Sequence, residues 1–156
     1  MKTIRTNTFE TNSSSTHSLT YIRKQENYLP KGNELKIRFI DTDEEFSLST
    51  LEDKVSYLVA HIIDKYKWDE QSYGELIKRV ANNYDYKMLE DYVWEHYKKR
   101  IVFPKEYNGD IEDIVQINHQ LIESDFSEVL RMICDEDRDY LGEIFDENKC
   151  IEIGRD

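Results

Sequence analysis

The chain has 156 residues, of which 38% are hydrophobic and 35% charged, so it is long enough to bury a core and too apolar for a disordered chain. No apolar run approaches the roughly eighteen residues of a membrane span, and Arg5, Asn7 and Glu10 interrupt the region where a signal peptide would be apolar. Cys134 and Cys150 form neither a CxxC pair nor a metal-ligand spacing, which is typical of reduced cysteines. We therefore expect a cytoplasmic protein without a membrane span.

The net charge of −12 is concentrated toward the C-terminus. Residues 1–40 have seven basic and three acidic side chains, residues 41–105 have ten and fourteen, and residues 106–156 have four and sixteen. The basic first quarter could approach a phosphate backbone, whereas the acidic last third would repel nucleic acid and attract a basic protein surface. A solvated acidic face without a partner is the alternative interpretation.

The first 48 residues have the pattern of β-strands, because β-branched and aromatic residues alternate with polar ones. The predicted strands are residues 2–9, 17–24, 34–40 and 46–48. Pro30 and Gly32 indicate a turn between the second strand and the third. Since the connections are short, we expect an antiparallel hairpin or meander.

From Thr50 onward the apolar period changes from two to about 3.6 residues, which predicts helices. Ser49 or Thr50 is the expected cap of the first helix, and Glu52 and Asp53 suit the positive end of its dipole. The predicted helices are residues 50–66, 69–82, 85–99, 110–122, 125–134 and 137–146, and a last strand is predicted at 149–153.

The sequence thus predicts an α+β protein with a small N-terminal antiparallel β-sheet followed by a helical body. A boundary is predicted between a β-rich region, residues 1–48, and a helical, acidic region, residues 49–156. Each part is small for independent folding, so a single domain overall is the alternative.

Five other features are explained by packing or by helix ends. Trp68 and Trp94 are interpreted as core or half-core anchors, and His61 and His96 as packed or half-buried histidines. The run Lys98-Lys99-Arg100 is explained by the negative end of a helix dipole, without nucleic acid.

The densest polar stretch is Phe9-Glu10-Thr11-Asn12-Ser13-Ser14-Ser15-Thr16-His17-Ser18, which lies between the first two predicted strands. Such residues make turns, because their side chains hydrogen-bond the neighbouring backbone, so a polar hairpin loop is the plain interpretation. A second interpretation is chemical. Glu10 and His17 flank the turn as an acid and a base, and serine hydroxyls and backbone N–H groups can hold a phosphate or an oxyanion.

The longer string Arg5-Thr6-Asn7-Thr8-Phe9-Glu10-Thr11-Asn12-Ser13-Ser14-Ser15-Thr16-His17-Ser18 resembles the N-terminal segment of small proteins carried by phages and plasmids of Gram-positive bacteria. Some of these are similar to type II-A anti-CRISPR proteins, which inhibit Cas9. The resemblance covers roughly residues 1–25. It implies an inhibitor, in the cytoplasm of the bacterial host, that either causes truncation of the guide RNA or blocks its assembly with Cas9.

Two functions follow from these observations. The first is an inhibitor that binds Cas9, or its complex with guide RNA, through an acidic surface that includes Asp135, Glu136 and Asp137, since Cas9 holds nucleic acid in positively charged channels. The second is a ribonuclease-like or phosphate-handling enzyme at the N-terminal hairpin that truncates guide RNA. We expect it to use no metal or cofactor, because no metal-binding or nucleotide-binding motif is present. Its expected catalytic residues are Glu10, His17, Ser13 and Ser15, and its expected phosphate contacts are Arg5, Asn12, Ser14 and Arg23.

Overall fold

The computed structural model describes residues 4–10, 15–23, 26–42, 47–117, 130 and 140–155. The strands in chain order are β1 (Ile4–Glu10), β2 (Ser15–Tyr21), β3 (Glu34–Lys36), β4 (Ser47–Leu48), β5 (Arg100–Val102) and β6 (Lys149–Arg155). The helices are α1 (Leu51–Tyr66), α2 (Tyr73–Ala81), α3 (Tyr84–Tyr97) and α4 (Tyr140–Ile144), and a single 3₁₀ turn covers Ile111–Asp113. The chain is therefore a mixed α and β protein. None of these helices is long and apolar enough to cross a membrane.

Helix α1 is the centre of the core, because eleven of its sixteen residues are buried. The sequence predicts both its extent and its cap. The Thr50 hydroxyl accepts the Asp53 N–H at 3.1 Å, and Glu52 and Asp53 occupy the first turn. A helix that is buried around most of its circumference must be packed by several elements, and the other helices and the strands surround it.

Helices α2 and α3 each begin at a polar side chain that caps the first turn. The Ser72 hydroxyl accepts the Glu75 N–H, and the Asn83 side-chain oxygen accepts the Tyr86 N–H. The prediction that α3 continues to residue 99 is wrong. The helix ends at Tyr97, because Lys98 adopts a left-handed conformation with φ 56° and its N–H closes the last turn on the Trp94 carbonyl.

The prediction that Trp68 and Trp94 are core or half-core anchors is also wrong, because both residues are more than half exposed. Helix α3 buries Tyr86, Leu89 and Val93, and Trp94 lies about 100° around the helix from Val93, outside that stripe.

The main sheet has four strands in the order β1, β2, β6, β4, and all of its neighbours are antiparallel. The predicted meander of the first three strands is wrong. Strand β3 instead pairs in parallel with β5 in a second sheet, and β6 takes the place beside β2. The buried residue Tyr28 explains this path, since its carbonyl accepts the N–H of Leu51 at 3.0 Å and so leads the chain toward α1.

The predicted helix over residues 110–122 is wrong for its described part. Only Ile111–Asp113 forms a helical turn, and Gln116 then pairs with Asp41 in an isolated parallel bridge. Two backbone bonds secure this pairing, from the Thr42 N–H to Gln116 O at 2.8 Å and from the Gln116 N–H to Ile40 O at 3.0 Å. The apolar residues of this stretch reflect an extended segment packed on the core, with Ile114 and Val115 buried.

The last predicted elements are confirmed where they are described: Leu130 is helical and buried, α4 lies inside residues 137–146, and β6 includes residues 149–153. The division at residue 48 stays a prediction. The four-stranded sheet combines strands from both sides of it, and one core cluster contains Leu19, Leu58 and Ile151 together.

Candidate functional site

The polar motif of the N-terminus lies on the hairpin formed by β1 and β2. Glu10 ends β1 and stands opposite Thr16, and Ser15 begins β2. Asn12, Ser13 and Ser14 lie outside the described residues. The motif therefore joins two paired strands, as the sequence predicts.

The strand register does not place Glu10 opposite His17. His17 stands opposite Phe9, one position earlier in β1 than Glu10. The register thus fixes the backbone positions of the two residues on neighbouring strands. Their role as an acid and base pair stays a prediction.

His17 stands opposite Ile153 on β6, and Ser18 stands opposite Glu152. The Thr20 hydroxyl donates to the Glu152 carboxylate at 2.6 Å. Sequence reasoning missed Glu152, although its position between Ile151 and Ile153 in a strand pattern assigns it to the face opposite those two apolar residues.

The two predicted phosphate-binding arginines lie toward the other end of the hairpin. A bulge between Arg5 and Asn7 puts Arg5 opposite Thr20, five residues from Glu10, which is about 16 Å along a strand. Arg23 is exposed and lies two residues beyond the end of β2. Both positions are near the far end of the strands, so the backbone does not gather the arginines around the serine turn.

A buried lysine forms the best defined polar site of the core. The Lys54 ammonium donates to the carbonyl of Lys149 at 2.6 Å and to that of Asp146 at 2.9 Å, and it contacts the Tyr28 hydroxyl at 3.4 Å. Tyr28 in turn donates to the carbonyl of Phe145. The site thus ties α1 to the turn that leads into β6.

Burial lowers the pKa of Lys54 to about 7, because desolvation of the charged amine outweighs the attraction of Cys150 and Asp146. Burial also raises the pKa of the Tyr28 hydroxyl and of the Cys150 thiol. These shifts keep Tyr28 and Cys150 neutral, and Lys54 is fully enclosed by protein. We interpret the cluster as a structural connection, because no side chain in it is open to a substrate.

An exposed acidic segment begins after β5. Between Glu106 and Leu130 the sequence has seven acidic residues and no Lys or Arg. The structure shows four of these carboxylates at the surface, on Glu106, Asp110, Glu112 and Asp113. The predicted partner contacts Asp135, Glu136 and Asp137 lie outside the described residues.

The histidines described outside the hairpin are packed on tyrosines. His61 is half-buried, as predicted, and meets the Tyr57 ring edge-to-face at 4.7 Å. His96 is exposed rather than half-buried, but it is packed, since its ring stacks on Tyr92 at 3.9 Å. The described residues contain no group of three or more His, Cys, Asp or Glu that could hold a metal ion.

Neither a model of a known protein family, nor a curated protein, nor a solved structure matches this chain. The resemblance of the N-terminal string to anti-CRISPR proteins therefore stays an expectation from the sequence. The function has to be argued from charge, exposure and strand register.

Proposed function

We propose that this protein is an inhibitory binding protein that engages a basic, nucleic-acid-handling partner through its acidic C-terminal third. The observation that carries the proposal is the segment from Glu106 to Leu130, which has seven acidic residues and no basic one. Four of its carboxylates are exposed in the described part of the segment. Such a surface is complementary to a positively charged channel that normally holds nucleic acid.

The partner we propose is Cas9 or its complex with guide RNA, in the cytoplasm of a bacterial host. This choice rests on the resemblance of the N-terminal string, and the acidic segment supports it because Cas9 binds its heteroduplex in a positively charged channel. Asp135, Glu136 and Asp137 would extend the same acidic surface.

Binding is a better supported function than RNA cleavage at the hairpin. A general base must lie within about 3 Å of the proton that it removes, directly or through one water molecule. The register puts Arg5 opposite Thr20, five residues before Glu10 in β1, so its backbone lies away from the end of the strand where the motif is. The catalytic roles of Glu10, His17, Ser13 and Ser15 stay predictions.

The test is a pull-down of purified Cas9, with and without guide RNA, over a series of salt concentrations. The variant Asp110→Lys/Glu112→Lys/Asp113→Lys should weaken binding about tenfold, because three attractive charges become repulsive. The control Glu26→Lys/Glu75→Lys/Asp91→Lys changes the net charge equally at exposed positions outside the segment and should bind nearly as well as the wild type.

Binding should also weaken steeply with salt, since exposed charges are screened over about 8 Å at physiological ionic strength. Absence of binding at low salt, or equal weakening by both triple variants, would refute the proposal. Guide RNA recovered from the same samples should stay full length on a gel. If the guide RNA is truncated with the wild-type protein and stays full length with the His17→Ala variant, the enzyme function is established instead.

A further inference from the structure

A basic patch lies where α3 is followed by β5. It consists of five cations, Lys31, Lys36, Lys98, Lys99 and Arg100. The interpretation of the Lys98–Arg100 run as part of a helix end does not hold for all three residues. Helix α3 ends at Tyr97, and Arg100 is already the first residue of β5.

The parallel pairing of β3 and β5 brings these cations together. Leu35 and Ile101 stand opposite each other and are buried, so the flanking residues of both strands belong to the outer face. Lys36 and Arg100 are exposed on that face. The Arg100 N–H donates to Asn33 O at 2.8 Å, and the Lys99 ammonium donates to the carbonyl of Gly32, next to Lys31.

An exposed aromatic ring borders the basic patch. The Trp94 side chain is 52% exposed, and the Lys98 ammonium lies 5.5 Å from the centre of its ring. Lys98 takes the left-handed conformation after the last residue of α3, and Arg100, two residues later, begins β5. A ring of this kind offers a flat face on which a nucleobase can stack.

The patch is basic although the whole chain has a net charge of −12. Acidic side chains lie nearby as well: Glu34 stands opposite Arg100, Glu95 lies one turn before Lys98, and Glu90 and Asp91 lie one turn before Trp94. Within the described part of the chain, no ion pair involves Lys36, Lys98 or Arg100. These charges are therefore available to a ligand.

We propose that the basic patch and Trp94 together bind single-stranded nucleic acid, with phosphates on the cations and a base stacked on the tryptophan. Cations that follow the backbone and an aromatic ring that stacks a base are the two components of sequence-tolerant single-strand binding. This inference does not depend on the proposed function, because it concerns a different surface and needs no protein partner.

The test measures fluorescence anisotropy of a labelled oligouridylate of about 16 nucleotides, titrated with the full chain over a series of salt concentrations. Neutralisation of three to four phosphates predicts a slope of log K against log salt of about −2 to −3. The variant Lys36→Glu/Arg100→Glu should bind about tenfold or more weakly. The control variant Lys65→Glu/Lys78→Glu has the same net charge as Lys36→Glu/Arg100→Glu and alters exposed lysines outside the patch. Its affinity for the oligouridylate should therefore be close to that of the wild type.

Two further variants separate binding from folding. Trp94→Ala should weaken binding by about tenfold through loss of stacking. Lys98→Gly removes one cation while placing the residue best suited to a left-handed conformation, so weaker binding by this variant cannot result from unfolding. Absence of binding at low salt, equal loss in the control variant, or equal affinity for an RNA duplex would overturn the proposal.

Discussion

Helices α1 and α3 are of similar length and use their lysines in opposite ways. In α1, Lys54 is fully buried, and its ammonium is bonded to two main-chain carbonyls and contacts a tyrosine hydroxyl. At the end of α3, Lys98 is exposed and lies over the ring of Trp94. The same residue type therefore connects the core in one helix and forms part of a charged surface in the other.

The comparison extends to the apolar residues of the two helices. Nearly the whole circumference of α1 is packed, whereas α3 buries one stripe and exposes Tyr84, Met88 and Trp94. Substitutions in α1 should therefore change the stability of the fold, and substitutions on the outer face of α3 should change binding with little effect on stability.

The largest expected effect is that of a truncation in the core of α1. Leu58 is fully buried, so Leu58→Ala should lower the free energy of unfolding by about 2–5 kcal/mol. The control Met88→Ala removes a side chain that is 36% exposed and should cost about 1 kcal/mol or less. The free energy of unfolding of each variant is measured by urea denaturation. Equal decreases in the two variants would show that α3 is as tightly packed as α1.

The second prediction concerns the pH dependence of stability. The pKa of Lys54 is about 7 in the folded protein and ordinary in the unfolded chain, so between pH 7 and 9 the unfolded state binds more protons. The free energy of unfolding should then rise with pH, by up to about 1.4 kcal/mol per pH unit. Below pH 7 both states are protonated, and this contribution is constant.

The variant Lys54→Met isolates this contribution, because it cannot titrate. The free energy of unfolding of the wild type minus that of the variant, measured by urea denaturation at pH 7, 8 and 9, should increase with pH. The groups around the amine are Tyr28, Asp53, Asp146, Lys149 and Cys150. Burial raises the pKa of the Cys150 thiol, so the thiol ionises more readily in the unfolded chain. Its effect on the free energy of unfolding is a decrease, and it occurs only in more alkaline solution. Parallel pH profiles of the two proteins would contradict the assignment.

The smallest expected effect is at the end of α3. Lys98 is held at φ 56°, which costs a residue with a side chain about 1 kcal/mol, so Lys98→Gly should raise the free energy of unfolding by about 0.5–1 kcal/mol. Lys99→Gly is the matched control. Its backbone lacks a positive φ, so glycine there should destabilise slightly. If both variants change stability in the same direction, the left-handed conformation is not the cause.

The sequence predicts α1 well because its evidence is local. A capping threonine, two acids in the first turn and an apolar period of about 3.6 residues lie within one stretch, and each confirms the others. The end of α3 was predicted wrongly because a left-handed lysine has no signature in the sequence, where glycine or asparagine is the usual residue.

The pairing of strands was less predictable, since it depends on residues far apart in the chain. Strand β3 has the same alternating pattern whether it pairs with β2 or with β5, and only tertiary packing decides between them. The candidate site shows the same limit. Glu10 and His17 are seven residues apart in the sequence, but the register that puts His17 opposite Phe9 and Glu10 opposite Thr16 is a property of the paired strands.

The position of β6 between β2 and β4 has a consequence for the time at which the sheet can form during synthesis. Thr20 and its partner Glu152 are 132 residues apart, so a ribosome that adds about 5–20 residues per second makes β6 roughly 7–26 seconds after the hairpin. Until then β1 and β2 are an isolated two-stranded hairpin, which is marginally stable in water. The hairpin of β1 and β2 therefore gains its neighbour in the sheet only after β6 has been translated.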